Sequence, residues 1–255
     1  MTALLDVRGL NVAYGGVRAV RDVDLAIPER RIVGLIGPNG AGKTSTIDAL
    51  TGYYAPSSGS VTFDGRDITR MRAYQRARAG LSRTFQSVEL FDDLTIRENL
   101  LVASQRMGVL RALRDLILPF TSHPSDDIDW ALGLCGLHDV ADRRPTQLSH
   151  GRRKLVGVAR ALASRPKLVL LDEPAAGLDT DESLELGLHL RLLPEQGVTV
   201  LLVDHDMGLV LSVCDDVYVL DFGELIAHGT PAEIRANQAV IGAYLGGQEE
   251  ASNAA

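Results

Sequence analysis

Cysteine, aromatic residues and positive charge are all scarce in this chain of 255 residues. It has two cysteines and one tryptophan, and its acidic residues outnumber its basic residues by 33 to 26. The resulting formal net charge of −7 argues against a nucleic-acid-binding protein, because such proteins neutralise many phosphates with basic side chains. A nucleotide site is still compatible with this charge, since a few local donors can hold one polyphosphate.

Long hydrophobic runs are also missing. No stretch approaches the roughly 18 consecutive apolar residues that a membrane-spanning helix needs, so any membrane role is expected to come through partner subunits. The first residues do not form a basic region followed by an apolar core, so we expect no secretory signal. Cys135 and Cys214 lie in apolar runs without metal-ligand spacing, which predicts buried thiols in a reducing compartment.

The two ends of the chain read as strands. Residues 4–15, 20–29 and 32–37 have the apolar alternation or runs of strands, and residues 58–68 predict two strands around an Asp64–Gly65 turn. In the last third, the apolar runs 167–173 and 198–205 flank a helical pattern, and edge or hairpin strands follow at 217–221 and 224–229. Buried strands that alternate with helices predict an α/β fold with a mostly parallel sheet covered by helices.

The middle of the chain changes to helical character from about Leu94 to Ser149. Pro124 interrupts this block in a polar stretch that reads as a loop, and apolar residues recur at helical spacing after it. We interpret the block as a helical subdomain, approximately 87–160, inserted in a single domain of residues 1–247. Residues 248–255 are expected to form a flexible tail.

A glycine-rich segment follows the third predicted strand and opens a helix. Its sequence matches a phosphate-binding loop, in which glycines let backbone N–H groups point at phosphates and the helix N-terminus adds its dipole. Lys43 is placed for the outer phosphates and the Thr44 hydroxyl for Mg²⁺. The candidate nucleotide-binding residues are Gly37, Pro38, Asn39, Gly40, Ala41, Gly42, Lys43, Thr44 and Ser45. Alone, this loop fits kinases, GTPases and many ATPases equally well.

Two acidic residues end the apolar run at 168–172. A carboxylate at the carboxyl end of a buried strand can hold the Mg²⁺ shell, which makes Asp172 a candidate metal ligand. Glu173 follows directly and is the candidate for orienting or activating the attacking water. The alternative, a helix-capping pair before Pro174, would leave the phosphate loop without a metal partner.

The segment 148–163 carries the most specific signal. It resembles the signature of the ATP-binding cassette family, which has the form LSGGQ at the start of a helix shortly before the acidic strand end. Ser149 and Gly151 match that pattern, while His150 and Arg152 depart from it. The resemblance implies that this helix N-terminus faces the γ-phosphate bound by the opposite subunit, and we hypothesise that Arg152 also acts there. Arg153 and Lys154 read as a solvated basic turn.

Further positions match the family in order along the chain, and their roles are implied by the resemblance. Tyr14 corresponds to the aromatic residue that stacks on adenine, and Gln86 to the glutamine that reaches Mg²⁺ and the water. Asp179 corresponds to the loop that crosses the dimer interface. His205 corresponds to the switch histidine that contacts the γ-phosphate.

The resemblance implies a P-loop ATPase fold, an N-terminal antiparallel β part, and ATP and Mg²⁺ as cofactors. The chain would be the ATP-hydrolysing subunit of a membrane transporter, peripheral on the cytoplasmic face of the inner membrane. Its expected partners are transmembrane permease subunits, a second cassette subunit and, indirectly, an extracytoplasmic solute-binding protein, with no nucleic acid. A heterodimer of cassettes is expected, with a homodimer as the alternative.

A closer likeness concerns the transported solute. Residues 83–86, 90–100, 171–179 and 228–246 resemble the ATPases of branched-chain amino acid importers. The alternatives are a cassette that serves another solute, such as urea or a lipid, a soluble non-transport cassette ATPase, and a regulatory module that no longer hydrolyses ATP.

Overall fold

An antiparallel sheet is built from the first part of the chain. The computed structural model describes residues 3–84, 89–104 and 124–244. The strand order of this sheet is β2-β1-β4-β5, with β1 at Ala3–Tyr14, β2 at Val17–Pro28, β4 at Ser58–Phe63 and β5 at Arg66–Asp67. The predicted turn between β4 and β5 is confirmed, because Asp64 and Gly65 both have the positive φ, 50° and 73°, of a tight hairpin turn.

The second sheet has six strands in the order β10-β9-β3-β8-β7-β6. Neighbouring strands are parallel except for the β9–β10 hairpin. The strands span β3 Ile32–Ile36, β6 Leu81–Arg83, β7 Leu168–Asp172, β8 Thr199–Val203, β9 Asp216–Asp221 and β10 Glu224–Gly229. The prediction of a mostly parallel sheet is confirmed.

Alternate residues of each parallel strand face two different cores, as the period of two in a strand requires. In β3, Val33 and Leu35 pack in the cluster shared with the antiparallel sheet and helix α1 (Lys43–Thr51). Ile32 and Ile36 pack in a second cluster, on the other face of the sheet, which they share with the helices that cover that face. Both faces are covered, which explains why β3, β7 and β8 are buried along their whole length and carry mostly apolar residues.

Helices fill the connections between strands. After α1, their bounds are α2 Ala73–Ala79, α3 Ile96–Ser104, α4 Pro124–Leu134, α5 His150–Leu162, α6 Thr180–Leu192, α7 Met207–Val213 and α8 Pro231–Ala236, and residues 238–244 are also helical. Three of them, α3, α4 and α5, lie between β6 and β7, so the α/β fold class with an inserted helical part is confirmed. Within the described residues, none of the helices has the length and apolarity to cross a membrane.

Pro124 and the polar residues after it, which the sequence suggested as a loop, are helical and belong to α4. The residues before Pro124 lie outside the described ranges, so its role as a break between helical pieces stays a prediction. Proline is well tolerated at the first helical position, because its missing N–H would have no partner inside the helix anyway. The bounds of the helical subdomain and of the single domain stay predictions, and the tail at 248–255 lies outside the described residues.

Arg76 is a buried cation that closes the end of helix α1. Its side chain, 1% exposed, donates from Nη1 to the carbonyl oxygens of Ala49 and Leu50, both at 2.7 Å. Further bonds reach Thr69 O at 2.9 Å and Met71 O at 3.0 Å. Burial lowers the pKa of Arg76 to about 10, which leaves it protonated at neutral pH. The guanidinium thus satisfies carbonyls at the negative end of the helix that begins at the candidate phosphate loop.

We expect Arg76→Met to lower the free energy of unfolding by about 3–5 kcal/mol, because several buried carbonyls would lose their donor. The measurement is equilibrium urea denaturation of the full chain. Arg76 belongs to helix α2, and Arg78 lies on the exposed side of that helix. Arg78→Met is therefore the control and should change stability by less than about 1 kcal/mol. Equal losses in the two variants would contradict the role assigned to Arg76.

Candidate functional site

Three neighbouring parallel strands end at the same edge of the large sheet. β3 runs into the glycine-rich loop, β7 ends at Asp172, and β8 leads into Asp204 and His205. The Glu173 N–H donates to Val203 O at 2.7 Å, which ties the end of β7 to the end of β8. Carboxyl ends of parallel strands are where α/β proteins hold ligands, so this edge is the candidate site.

The loop before α1 fits tightly between β2 and the β9–β10 turn. A Cβ on Gly37 would lie 2.2 Å from Leu220 O, and one on Gly42 would lie 2.4 Å from Ala19 O. Gly42 also has a φ of +99°, which side-chain-bearing residues rarely adopt. Backbone packing therefore requires glycine at both positions and fixes the path of the loop.

Lys43 is folded back into this loop. Its Nζ donates to Gly37 O at 2.8 Å and to Pro38 O at 3.0 Å, and the residue is 6% exposed. Burial lowers the pKa of Lys43, while the carboxylates of Glu173 and Asp172 oppose that shift. The two carbonyls are neutral acceptors that an anion can replace, so the geometry provides a buried ammonium group ready to bind phosphate oxygens.

Asp172 is paired with a residue that sequence reasoning missed. Arg83, at the end of β6, donates from Nη2 to Asp172 Oδ2 at 2.9 Å and from Nη1 to Asp48 Oδ1 at 2.5 Å. Burial raises the pKa of Asp172, and the hydrogen bond and charge of Arg83 oppose that rise. The arginine therefore stabilises the ionised carboxylate that a cation would need. An arginine closing a short strand was the available signal in the sequence.

Glu173 and His205, both predicted as catalytic residues, lie side by side. His205 Nδ1 is 3.9 Å from Glu173 Oε2 and 3.6 Å from Asp204 Oδ1. Glu173 has a φ of +47°, a strained conformation for a residue with a side chain, of the kind that clusters at functional sites. The structure therefore brings these two candidates together with Asp172 and Lys43.

Asp204 was also missed and is fully buried. Its carboxylate accepts hydrogen bonds from the N–H groups of Ala175 at 3.1 Å and Asp206 at 3.0 Å. Burial raises the pKa of Asp204, and these hydrogen bonds oppose that rise. Asp204 thus links the segment after β7 with the segment after β8.

The prediction that Lys154 lies in a solvated basic turn is wrong, because the residue is only 7% exposed. Burial lowers the pKa of Lys154, while the carboxylates of Asp204 and Glu173 oppose that shift. The cause is its place on α5: Gly151, Lys154 and Leu155 share the buried face of the helix, whereas Arg153 points elsewhere and is 36% exposed. A run of basic residues on a helix does not share one environment.

The signature turn, residues 149–152 at the start of α5, forms hydrogen bonds within itself and with other segments of this chain. Ser149 caps α5 and accepts a hydrogen bond from the Arg152 N–H at 3.3 Å. The Gly151 N–H donates to Glu182 Oε1 at 3.1 Å, and Arg152 Nη1 donates to Asp139 Oδ2 at 2.7 Å. Asp179 caps α6, where its Oδ1 accepts from the Glu182 N–H at 2.8 Å. The predicted trans contacts of these residues stay predictions.

Two aromatic rings pack together at the end of β1. The ring centroid of Tyr14 lies 4.4 Å from that of Tyr54, and the Tyr54 hydroxyl donates to Ala13 O at 2.7 Å. Tyr14 is 39% exposed, so part of its ring is available for stacking.

The other predicted nucleotide and metal residues differ in exposure. Thr44 is exposed and Ser45 is half-buried in the first turn of α1. Gln86 lies outside the described residues.

We expect Arg83→Met to lower the free energy of unfolding by about 3–5 kcal/mol, because Asp172 would lose its buried partner. Thermal or urea denaturation measures the loss. Arg31→Met breaks an exposed pair with Asp215 and should cost about 1 kcal/mol or less. A loss for Arg83→Met no larger than that of the control would show that the pair does not stabilise the site.

Comparison with known proteins agrees with this architecture. The family described as ABC transporter matches residues 20–176, and the family described as branched-chain amino acid ATP-binding cassette transporter matches residues 224–250. The high-affinity branched-chain amino acid transport ATP-binding protein LivG of Salmonella typhimurium is 43% identical over 251 residues, covering 95% of this chain and 98% of LivG. BraF of Pseudomonas aeruginosa, described in the same words, is 41% identical over 249 residues, with the same coverage.

Among solved structures, the ADP conformation of MJ1267, an ATP-binding cassette of an ABC transporter, superposes with a TM-score of 0.84 at 28% identity. The match covers 96% of this chain and all (100%) of that one. The similarity therefore extends over both sheets and the helices between β6 and β7.

Proposed function

This chain belongs to the ABC transporter family as an ATP-binding and ATP-hydrolysing subunit, and we propose that it powers the import of branched-chain or related amino acids. The observation that carries the choice of solute is similarity to LivG and BraF over nearly the whole chain. The match of residues 224–250 to a branched-chain amino acid family supports the same choice.

We assign ATP binding to the loop at residues 37–45. In this proposal Lys43 exchanges its bonds to Gly37 O and Pro38 O for oxygens of the outer phosphates. Tyr14, supported by Tyr54, stacks on the adenine. Stacking contributes equally to the ground state and the transition state, so it supports affinity rather than rate.

Mg²⁺ fits the residues at the strand ends. It prefers one or two protein oxygens plus phosphates and waters, and Asp172 with the Thr44 hydroxyl offers this set. Arg83 opposes the rise that burial causes in the pKa of Asp172, so it favours the ionised carboxylate. When bound there, the ion would neutralise charge on the phosphate oxygens, and Gln86 is the further predicted ligand.

Hydrolysis needs a base and a group that holds the γ-phosphate. Glu173 would accept the proton of the attacking water as the oxygen bonds to the γ-phosphorus and ADP departs. His205, 3.9 Å from the Glu173 carboxylate, would contact the γ-phosphate. Asp204 and Lys154 hold the surrounding charges in place, so they act as positioning residues.

We propose that the signature turn, residues 149–152 at the start of α5, acts on the ATP of a neighbouring cassette. Ser149, Gly151 and Arg152 would bind the ATP held by the partner, and Asp179 would lie at the same interface. Similarity to ATP-binding subunits of transport systems implies permease partners. We propose a head-to-tail pair of cassettes, a heterodimer with a homodimer as the alternative, docked on the permease at the cytoplasmic face of the inner membrane. A solute-binding protein would act on the other side.

We expect Glu173→Gln to bind MgATP like the parent but to hydrolyse it roughly 10²–10⁴-fold more slowly, because the amide cannot accept a proton. The measurement is phosphate release and uptake of labelled leucine by the reconstituted transporter, beside equilibrium ATP binding. Glu185→Gln, exposed on α6, is the control with unchanged turnover.

Undiminished phosphate release in Glu173→Gln would refute the assignment of the base. A parent transporter that hydrolyses ATP but imports neither leucine nor a related amino acid would refute the proposed solute and leave the ATPase assignment intact.

A further inference from the structure

A carboxylate of the same chain already occupies the signature turn. Glu182 Oε1 accepts the N–H of Gly151 at 3.1 Å. A Cβ on Gly151 would lie 2.6 Å from that same oxygen, so glycine at this position is what lets the carboxylate approach. The contact is therefore part of how α5 and α6 pack together, since Gly151 itself is buried.

The contact is stabilised from both sides. Gly151 is in the first turn of α5, where N–H groups lack partners within the helix and the dipole favours negative charge. Glu182 is held in the first turn of α6, because Asp179 caps that helix through the Glu182 N–H at 2.8 Å. A negative charge is thus positioned on the donors of the signature turn.

A second donor of the same turn is also taken within the chain. Arg152 Nη1 donates to Asp139 Oδ2 at 2.7 Å. The hydrogen bond and charge of Arg152 hold the pKa of Asp139 below its usual value, so Asp139 is ionised at neutral pH. Both side chains are partly exposed, 37% and 60%, so this contact can be exchanged easily.

An incoming phosphate would compete with these carboxylates. One N–H cannot serve two strong acceptors at full strength, and a phosphate beside an unmoved carboxylate would meet like-charge repulsion. We propose that Glu182, with Asp139 in a lesser role, is a built-in competitor that must leave the signature turn before the partner's ATP can bind there. This inference rests on the proposed function, because it assumes that the turn receives ATP from a neighbouring cassette.

The competition has a direct consequence for the motor. Glu182 raises the ATP concentration needed to close the cassette pair, and after hydrolysis its return to Gly151 favours opening. Glu182→Gln keeps the shape and an acceptor oxygen but removes the charge. From the size of charge–dipole contacts at helix ends, we expect the half-saturating ATP concentration to fall about 2- to 5-fold.

The test uses the assembled transporter in lipid nanodiscs, with its permease and partner cassette. ATP hydrolysis is measured against ATP concentration for the parent and for Glu182→Gln. Asp181→Asn is the matched control, because it removes an equal charge from the same first turn of α6, at an exposed position, and should not shift the curve. Thermal unfolding of the full chain is measured in parallel, and Glu182→Gln is expected to be slightly less stable.

Asp139 is tested by a double-mutant cycle. Asp139→Asn should shift the curve in the same direction but less than Glu182→Gln, and it should have no effect in an Arg152→Ala background. Asp142→Asn, three residues away with a side chain 93% exposed, is its control.

The results separate the possible failures. A half-saturating ATP concentration that is unchanged or raised in Glu182→Gln overturns the inference, and a loss of stability without the downward shift shows a purely structural contact. A shift of equal size in Asp181→Asn also overturns it, since general charge would then be the cause. A parent assembly without ATP hydrolysis would instead refute the proposed function.

Discussion

The site depends on a balance of buried charge where three parallel strands end. Asp172, Glu173 and Asp204 bring three carboxylates to one edge of the sheet, and the first and last of these are almost fully buried. Unpaired charges in such surroundings cost several kcal/mol, so cations must accompany them. Lys43 comes from the loop after β3, and Arg83 from the end of β6.

Lys154 adds a third cation, from α5. The helical part and the sheet are therefore joined at the site by electrostatics as well as by apolar packing. A movement of α5 would displace Lys154 from Asp204 and Glu173. That coupling gives a physical route between the signature turn at the start of α5 and the proposed catalytic carboxylate.

Local patterns in the sequence were sufficient to predict the strand–loop–helix around Lys43 and the acidic end of β7. Each depends on residues close together in the chain, with glycine spacing and apolar runs as the signal. Arg83 contacts Asp172 across 89 positions, and Gly151 contacts Glu182 across 31. Tertiary packing decides such pairs, so sequence alone could not show them, and it could not distinguish buried Lys154 from half-buried Arg153.

In each of the two proposed phosphate-binding surfaces, a donor that would bind phosphate already has a partner within the chain. Lys43 bonds loop carbonyls, and Gly151 bonds the Glu182 carboxylate. Binding ATP would thus be an exchange of partners, and its free energy is the difference between the new and the old contacts. An exchange of this kind suits a motor, because the open state keeps its own stabilising contacts and is recovered once the ligand leaves.

The central claim is that the buried ammonium group of Lys43 holds ATP. Isothermal titration of the full chain with MgATP tests it most directly, comparing the parent with Lys43→Ala and with Lys167→Ala, whose ammonium group pairs with Asp64 on the surface. Loss of two charge-assisted bonds, worth ~2–4 kcal/mol, predicts roughly 30- to 1000-fold weaker binding for Lys43→Ala. Lys167→Ala should bind like the parent. Parental affinity in Lys43→Ala would contradict the account.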